Sequence, residues 1–188
     1  MLQQQTATTI AGMDALVEWA GGELEAGDSV RALEHQADDE KRALQRALGE
    51  AFTLPLEPED IFTLSMALDD VLGGAKNMVR EAEVMHTGPD RAMEEMAGAL
   101  ALGTRELATA FDALARGKSE EATGAADRAI KAQRGLEHVY RSAMSALVDT
   151  EDIRALAAKR ELYRRMSRTS EQLIAVAERV WYAVLKLS

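Results

Sequence analysis

Two acidic spacings in this chain could do metal chemistry. Glu83 and His86 form a Glu-x-x-His pair, the spacing that di-iron carboxylate bundles use on inward helix faces. Such a site needs two of these pairs, and the sequence supplies one, just before the Thr87-Gly88-Pro89 break. Glu34 and Asp38 stand four residues apart, which puts both carboxylates on one face of a helix. Oxygen ligands so placed converge on a cation when neighbouring helices complete its shell. In isolation the pair reads equally as a solvated face, with Asp38 and Arg42 forming an ordinary i,i+4 ion pair. Asp69 and Asp70 sit between Leu68 and Val71, so at least one meets an apolar neighbourhood and must be paired or metal-bound. His35 and His138 each follow a glutamate directly and point about 100° around the helix from it, which suits the surface better than co-ligation.

The other chemistry on offer is electrostatic. Arg160, Arg164 and Arg168 repeat every four residues, with Lys159 and Arg165 beside them. This basic face suits docking on a membrane partner's cytosolic loop or on anionic headgroups. The alternative is pairing with acidic residues elsewhere in the chain. Residues 1–94 hold 19 acids and 7 bases, whereas residues 95–188 hold 13 acids and 15 bases. Walker-type, Gly-x-Gly-x-x-Gly, Gly-x-Ser-x-Gly and His-Glu-x-x-His motifs are all absent, so an enzyme is the least supported class.

Composition narrows the setting for either chemistry. The 188 residues carry a net charge of −10, which disfavours nonspecific nucleic-acid binding, since that needs a basic face to release phosphate counterions. With no cysteine there are no disulfides, thiolate zinc sites or cysteine nucleophiles. The longest charge-free stretch, residues 1–13, is too short to span a bilayer and no basic leader precedes it, so a cytoplasmic location is expected. Val180-Trp181-Tyr182-Ala183-Val184-Leu185 is apolar on most sides but too short for insertion, and reads as core.

Thirty-four alanines and three prolines point to an all-α chain. Breakers divide it into six helices: about Gln3 to Gly21, Asp28 to Phe52, Pro58 to Met85, Asp90 to Ala115, Ser119 to Val148, and from about Asp152 to the C-terminus. Thr53-Leu54-Pro55-Leu56-Glu57-Pro58 reads as a rigid extended linker, with Glu59 and Asp60 favouring the N-terminal end of the next helix. Acidic positions repeat weakly. Glu34 and Asp38 map onto Gln133 and Glu137 at an offset of 99, and Asp69 and Gly73 onto Ser167 and Glu171 at 98. A competing match of Leu33-Glu34-His35 with Leu136-Glu137-His138 gives 103. The expected organisation is two pseudo-repeated three-helix bundles of antiparallel helices, residues 1–87 and 88–188.

In order and spacing these segments resemble the PhoU-like phosphate-transport regulators, in the branch encoded beside low-affinity inorganic phosphate permeases. The segments are Leu33-Glu34-His35-Gln36-Ala37-Asp38, Phe52 through Ile61, and Ala67-Leu68-Asp69-Asp70-Val71. Leu136 through Arg141 and Lys159-Arg160-Glu161-Leu162-Tyr163 are similar to the pattern of the second half. The resemblance spans roughly residues 28 to 188.

The resemblance implies metal-binding acid pairs in each repeat. Five carboxylates occupy those positions here: Glu34, Asp38, Asp69, Glu137 and Glu171. Gly73, Gln133 and Ser167 leave the others vacant or neutral. The expectation is weak or substoichiometric binding of a divalent or iron-type ion, with no multinuclear cluster. The implied role is an accessory or regulatory protein of inorganic phosphate transport. It would dock through Lys159, Arg160, Arg164, Arg165 and Arg168 on a phosphate permease, touch the membrane only peripherally, and have a homo-oligomer as a further assembly. The competing readings are a metal-binding bundle without a transporter partner and a helical scaffold of unrelated role.

Overall fold

The computed structural model describes residues 1–50 and 56–187, with the backbone alone for residue 50. Six helices account for most of it: α1 (Leu2–Ala20), α2 (Ala26–Glu50), α3 (Pro58–Val84), α4 (Arg91–Ala115), α5 (Ser119–Ala146) and α6 (Ile153–Leu187). No strand occurs among the described residues.

Local chemistry explains most of the boundaries. Gly22, at φ 110°, and Gly117, at φ 69°, take left-handed conformations that end α1 and α4 without a Cβ clash. Pro58 opens α3, where its missing N–H costs nothing, and Glu59 and Asp60 face the positive end of the helix. Asp90 caps α4 by accepting the Met93 N–H at 3.2 Å. Asp152 Oδ1 accepts the N–H groups of Arg154 at 2.9 Å and Ala155 at 3.2 Å, so α6 starts where its acidic lead-in suggests.

Two boundaries differ from the sequence reading. The second helix begins at Ala26, two residues earlier, because the chain re-enters helix directly from the turn at residues 21–25. The fifth helix begins at Ser119, as expected, with Lys118 in the cap position. That helix ends at Ala146, after which Leu147–Asp149 tighten into a 3₁₀ turn with Leu147 buried beneath it. The expected end of α2 at Phe52 and the Thr53-Leu54-Pro55 part of the linker lie outside the described residues.

Helices α1, α2 and α3 pack on one another, as do α4, α5 and α6, and the two sets meet along α1 with α4 and α3 with α6. One continuous apolar core runs through both sets. Trp19, Met13 and Leu16 of α1 fill it beside Leu64, Leu68, Leu72 and Met78 of α3, with Met93, Met96 and Leu107 of α4 across the divide. Alanines dominate the α4–α5 seam, where Ala97, Ala110, Ala113, Ala122, Ala125, Ala126 and Ala129 are all fully buried. Small side chains let these two backbones approach closely.

One polar pair is buried inside this core. Gln5 Nε2 donates to the Ser65 carbonyl at 3.0 Å, and Ser65 Oγ donates to Gln5 Oε1 at 2.6 Å. Both residues are almost wholly excluded from water. The reciprocal bonds satisfy both side chains and fix the register of α1 against α3.

Candidate functional site

A cleft of about 410 Å³ opens along the α3–α6 seam, with α2 on its flank. Glu34, Asp69, Asp70 and Lys76 line one side, and Arg165 and Arg168 the other. Two candidate sets that the sequence presents separately, the acids of the first half and the basic face of α6, therefore meet in one place. At the floor α3 and α6 touch closely, because a Cβ at Gly74 would stand 2.4 Å from Thr169 Oγ1 and 2.9 Å from Gln172 Oε1.

Glu34, Asp38 and Asp69 each have a cationic partner within the chain. Lys41 Nζ lies 2.8 Å from Asp38 Oδ1 and 2.6 Å from Asp69 Oδ2. Asp38 also accepts Arg42 at 2.6 Å, the i,i+4 pair expected from spacing. Lys76 reaches back from α3 to Glu34 on α2. The two contacts are reciprocal: each helix gives an acid and, seven residues on, a lysine, and the antiparallel register sets Glu34 against Lys76 and Lys41 against Asp69. Lys41 and Lys76 are only 16% and 19% exposed, so these are not freely solvated surface pairs. Burial opposes the charge on Lys41, yet hydrogen bonds to Asp38 and Asp69 hold its pKa above the ordinary lysine value. Chiefly through Lys41, Asp38 stays below the usual carboxylate range. Asp70, without such a partner, is pushed up by desolvation and by Asp69.

In the second half Glu137 accepts the Ser167 hydroxyl at 2.9 Å, and Glu171 is exposed. Among the described residues no three His, Asp or Glu side chains come together to hold a metal. The expected ligand set therefore does not converge. Glu34, Asp38 and Asp69 lie along one seam, each already paired to a basic side chain, and Glu137 is held by a hydroxyl. A resident metal does not fit these residues as they stand. Glu83 pairs with Arg31 at 2.6 Å and shares no site with exposed His86, which removes the di-iron reading.

The basic face of α6 is divided in the same way. Lys159 pairs with Asp90 at 2.9 Å, Arg164 with Glu161 at 2.8 Å, and Arg165 with Glu161 at 3.0 Å and Glu81 of α3 at 3.1 Å. Among the described residues Arg160 and Arg168 are exposed without an acidic partner. Asp90 ties α4 to α6 within the second half, because besides capping α4 it accepts the Tyr163 hydroxyl at 2.7 Å. Burial opposes ionisation of Asp90, but the Tyr163, Lys159 and Met93 donors outweigh it and hold the carboxyl below its ordinary value. Burial and Asp90 together raise the Tyr163 phenol.

Sequence reasoning missed Lys41, Lys76 and the Asp90–Tyr163 bond. A signal for the first two was present, since they are the only lysines in residues 1–94 and each follows a candidate acid by seven residues.

No protein-family model matches the chain. It is 22% identical over 165 residues to the UPF0111 protein YkaA of Bacillus subtilis (strain 168), a match covering 86% of this chain and 80% of that protein. A PhoU-like protein of Shewanella oneidensis MR-1 superposes with a TM-score of 0.81 over 98% of both chains at 15% identity. A second Shewanella oneidensis MR-1 structure, of a protein proposed to be a PhoU-like phosphate regulator, gives 0.80 over 98% of this chain and 97% of that one at 14% identity. The architecture of six helices in two mutually packed sets of three is the PhoU-like fold.

Proposed function

We propose that this chain is a regulatory or accessory protein of inorganic phosphate transport that acts by binding a protein partner. The observation that carries the reading is the full-length likeness to two PhoU-like structures, one of them of a protein proposed to be a phosphate regulator. The site supports it in kind. Glu34, Asp38 and Asp69 are paired to basic side chains within the chain, and the site displays the charge of Arg168 at the surface.

Docking in this reading uses the α3–α6 face from the cytoplasmic side of the membrane. Arg160 and Arg168 supply the cationic contacts, because Lys159, Arg164 and Arg165 are already engaged internally. The partner is a phosphate permease offering acidic cytosolic segments. No helix among the described residues is long and apolar enough to cross a membrane, which accords with a peripheral contact.

The test is a binding measurement against vesicles that carry the phosphate permease, at rising salt. Arg160→Glu with Arg168→Glu should weaken association by about 1 kcal/mol or more per charge, with an effect that fades as salt screens it. Unchanged association of a folded double variant would contradict docking through α6.

A further inference from the structure

We propose that Lys41 and Lys76 are resident cations that stand in for metal in the first half of this fold, so that the chain holds its inter-helix carboxylates together with its own ammonium groups. The inference goes beyond the transport reading and does not depend on it.

Three observations carry it. The Lys41 ammonium contacts carboxylates from two helices, Asp38 of α2 and Asp69 of α3, at 2.8 and 2.6 Å. Acid oxygens drawn from neighbouring helices around one small positive centre are the arrangement a divalent ion requires, at the slightly longer distances of N–H···O bonds in place of the 2.0–2.6 Å typical of Mg²⁺ or Ca²⁺. Lys76 makes the reciprocal contact with Glu34. Each of Glu34, Asp38 and Asp69 is matched by a basic side chain, from among Lys41, Lys76 and Arg42. An incoming metal would have to expel tethered cations whose side chains are largely withdrawn from water. Thirdly, Gly73 lies on the cleft wall where a further carboxylate would be needed to tip the balance towards a divalent ion. An ammonium is matched by the one or two carboxylates that Lys76 and Lys41 meet, whereas a divalent ion bound by protein oxygens needs more.

The experiment is calorimetric titration of the purified full chain with Mn²⁺ alone, together with thermal melts with and without Mn²⁺. The native chain should show no stoichiometric binding and no metal-dependent rise in melting temperature. Lys41→Met removes the ammonium while keeping the stem length, and leaves Asp38 and Asp69 facing each other. It should melt lower than native without metal, bind Mn²⁺ roughly tenfold or more tightly than native, and recover melting temperature when Mn²⁺ is added. Adding Asp38→Asn and Asp69→Asn should remove that gain. Should Lys41→Met not fold, Lys41→Gln, which keeps a hydrogen-bond donor, carries the same comparison. Two results would overturn the proposal: stoichiometric Mn²⁺ binding by the native chain that Asp38→Asn abolishes, or a folded Lys41 variant with no gain in Mn²⁺ binding.

Discussion

Lys41 and Asp69 face each other across the α2–α3 seam at 2.6 Å, and the register that places them there also places Glu34 opposite Lys76. Such a reciprocal arrangement couples the two contacts, because a slip of one helix along the other breaks both. Breaking either by removing one partner leaves a half-buried charge uncompensated. Lys76→Met should therefore destabilise the chain by about 1–2 kcal/mol, discounted from the fully buried case for residual solvent. Combining it with Glu34→Gln should cost less than the sum of the two, and chemical denaturation of the four-member cycle measures that coupling.

Asp90 is the joint between α4 and α6. Asp90→Ala removes a helix cap and two charge-assisted bonds and should cost about 2–3 kcal/mol. Because the folded carboxyl is held below its unfolded value, its contribution is complete above the unfolded pKa of about 3.9 and is lost as pH falls through the lower folded value. The native-minus-variant stability difference should thus be flat between about pH 5 and 8 and shrink below about pH 4. Urea melts across that range check it.

At the floor of the cleft, Gly74 leaves no room for a methyl group against the short, branched Thr169 side chain. Gly74→Ala should force α3 and α6 apart and cost about 1–3 kcal/mol despite alanine's better helix propensity. If thermal melting instead showed Gly74→Ala to be stabilising, the close α3–α6 contact would be wrong.

Much of the fold was legible from where helices must stop and start. Pro58 with Glu59 and Asp60, Gly21-Gly22, Gly117 and the Asp152 cap all act within one turn, and the expected helices follow from them. The end of α5 was not legible, because Leu147 is pulled into a 3₁₀ turn by burial that only the packed structure supplies. Of the candidate site, Glu34, Asp69, Arg165 and Arg168 do line one cleft. Their partners were hidden for a physical reason. Spacing along a chain reports which residues share a helix face, and says nothing of the register between two helices. The contact of Arg165 with Glu81, 84 positions apart, and the Lys76–Glu34 contact exist only once α3 has packed against α6 and α2. Ser167 shows the same limit from the other side. As a sequence position it is a missing acid, and in the structure it is the hydroxyl that satisfies Glu137.

Inside the first half, the Gln5–Ser65 pair offers a probe of specificity in the core. Ser65→Ala leaves a fully buried Gln5 oxygen without that donor and should cost about 1–3 kcal/mol. Gln5→Leu with Ser65→Ala replaces both polar partners and should recover part of that loss. Stability measurements on the single and double variants decide it.

In the proposed role the chain regulates inorganic phosphate transport through its surface. The most direct measurement is uptake of labelled phosphate by cells of the encoding organism with the gene deleted, then complemented by native protein or by Arg160→Glu with Arg168→Glu. Deletion should change the uptake rate, the native chain should restore it, and the folded double variant should not. Uptake identical in deleted and native cells, under both phosphate-replete and phosphate-limited growth, would contradict the assignment.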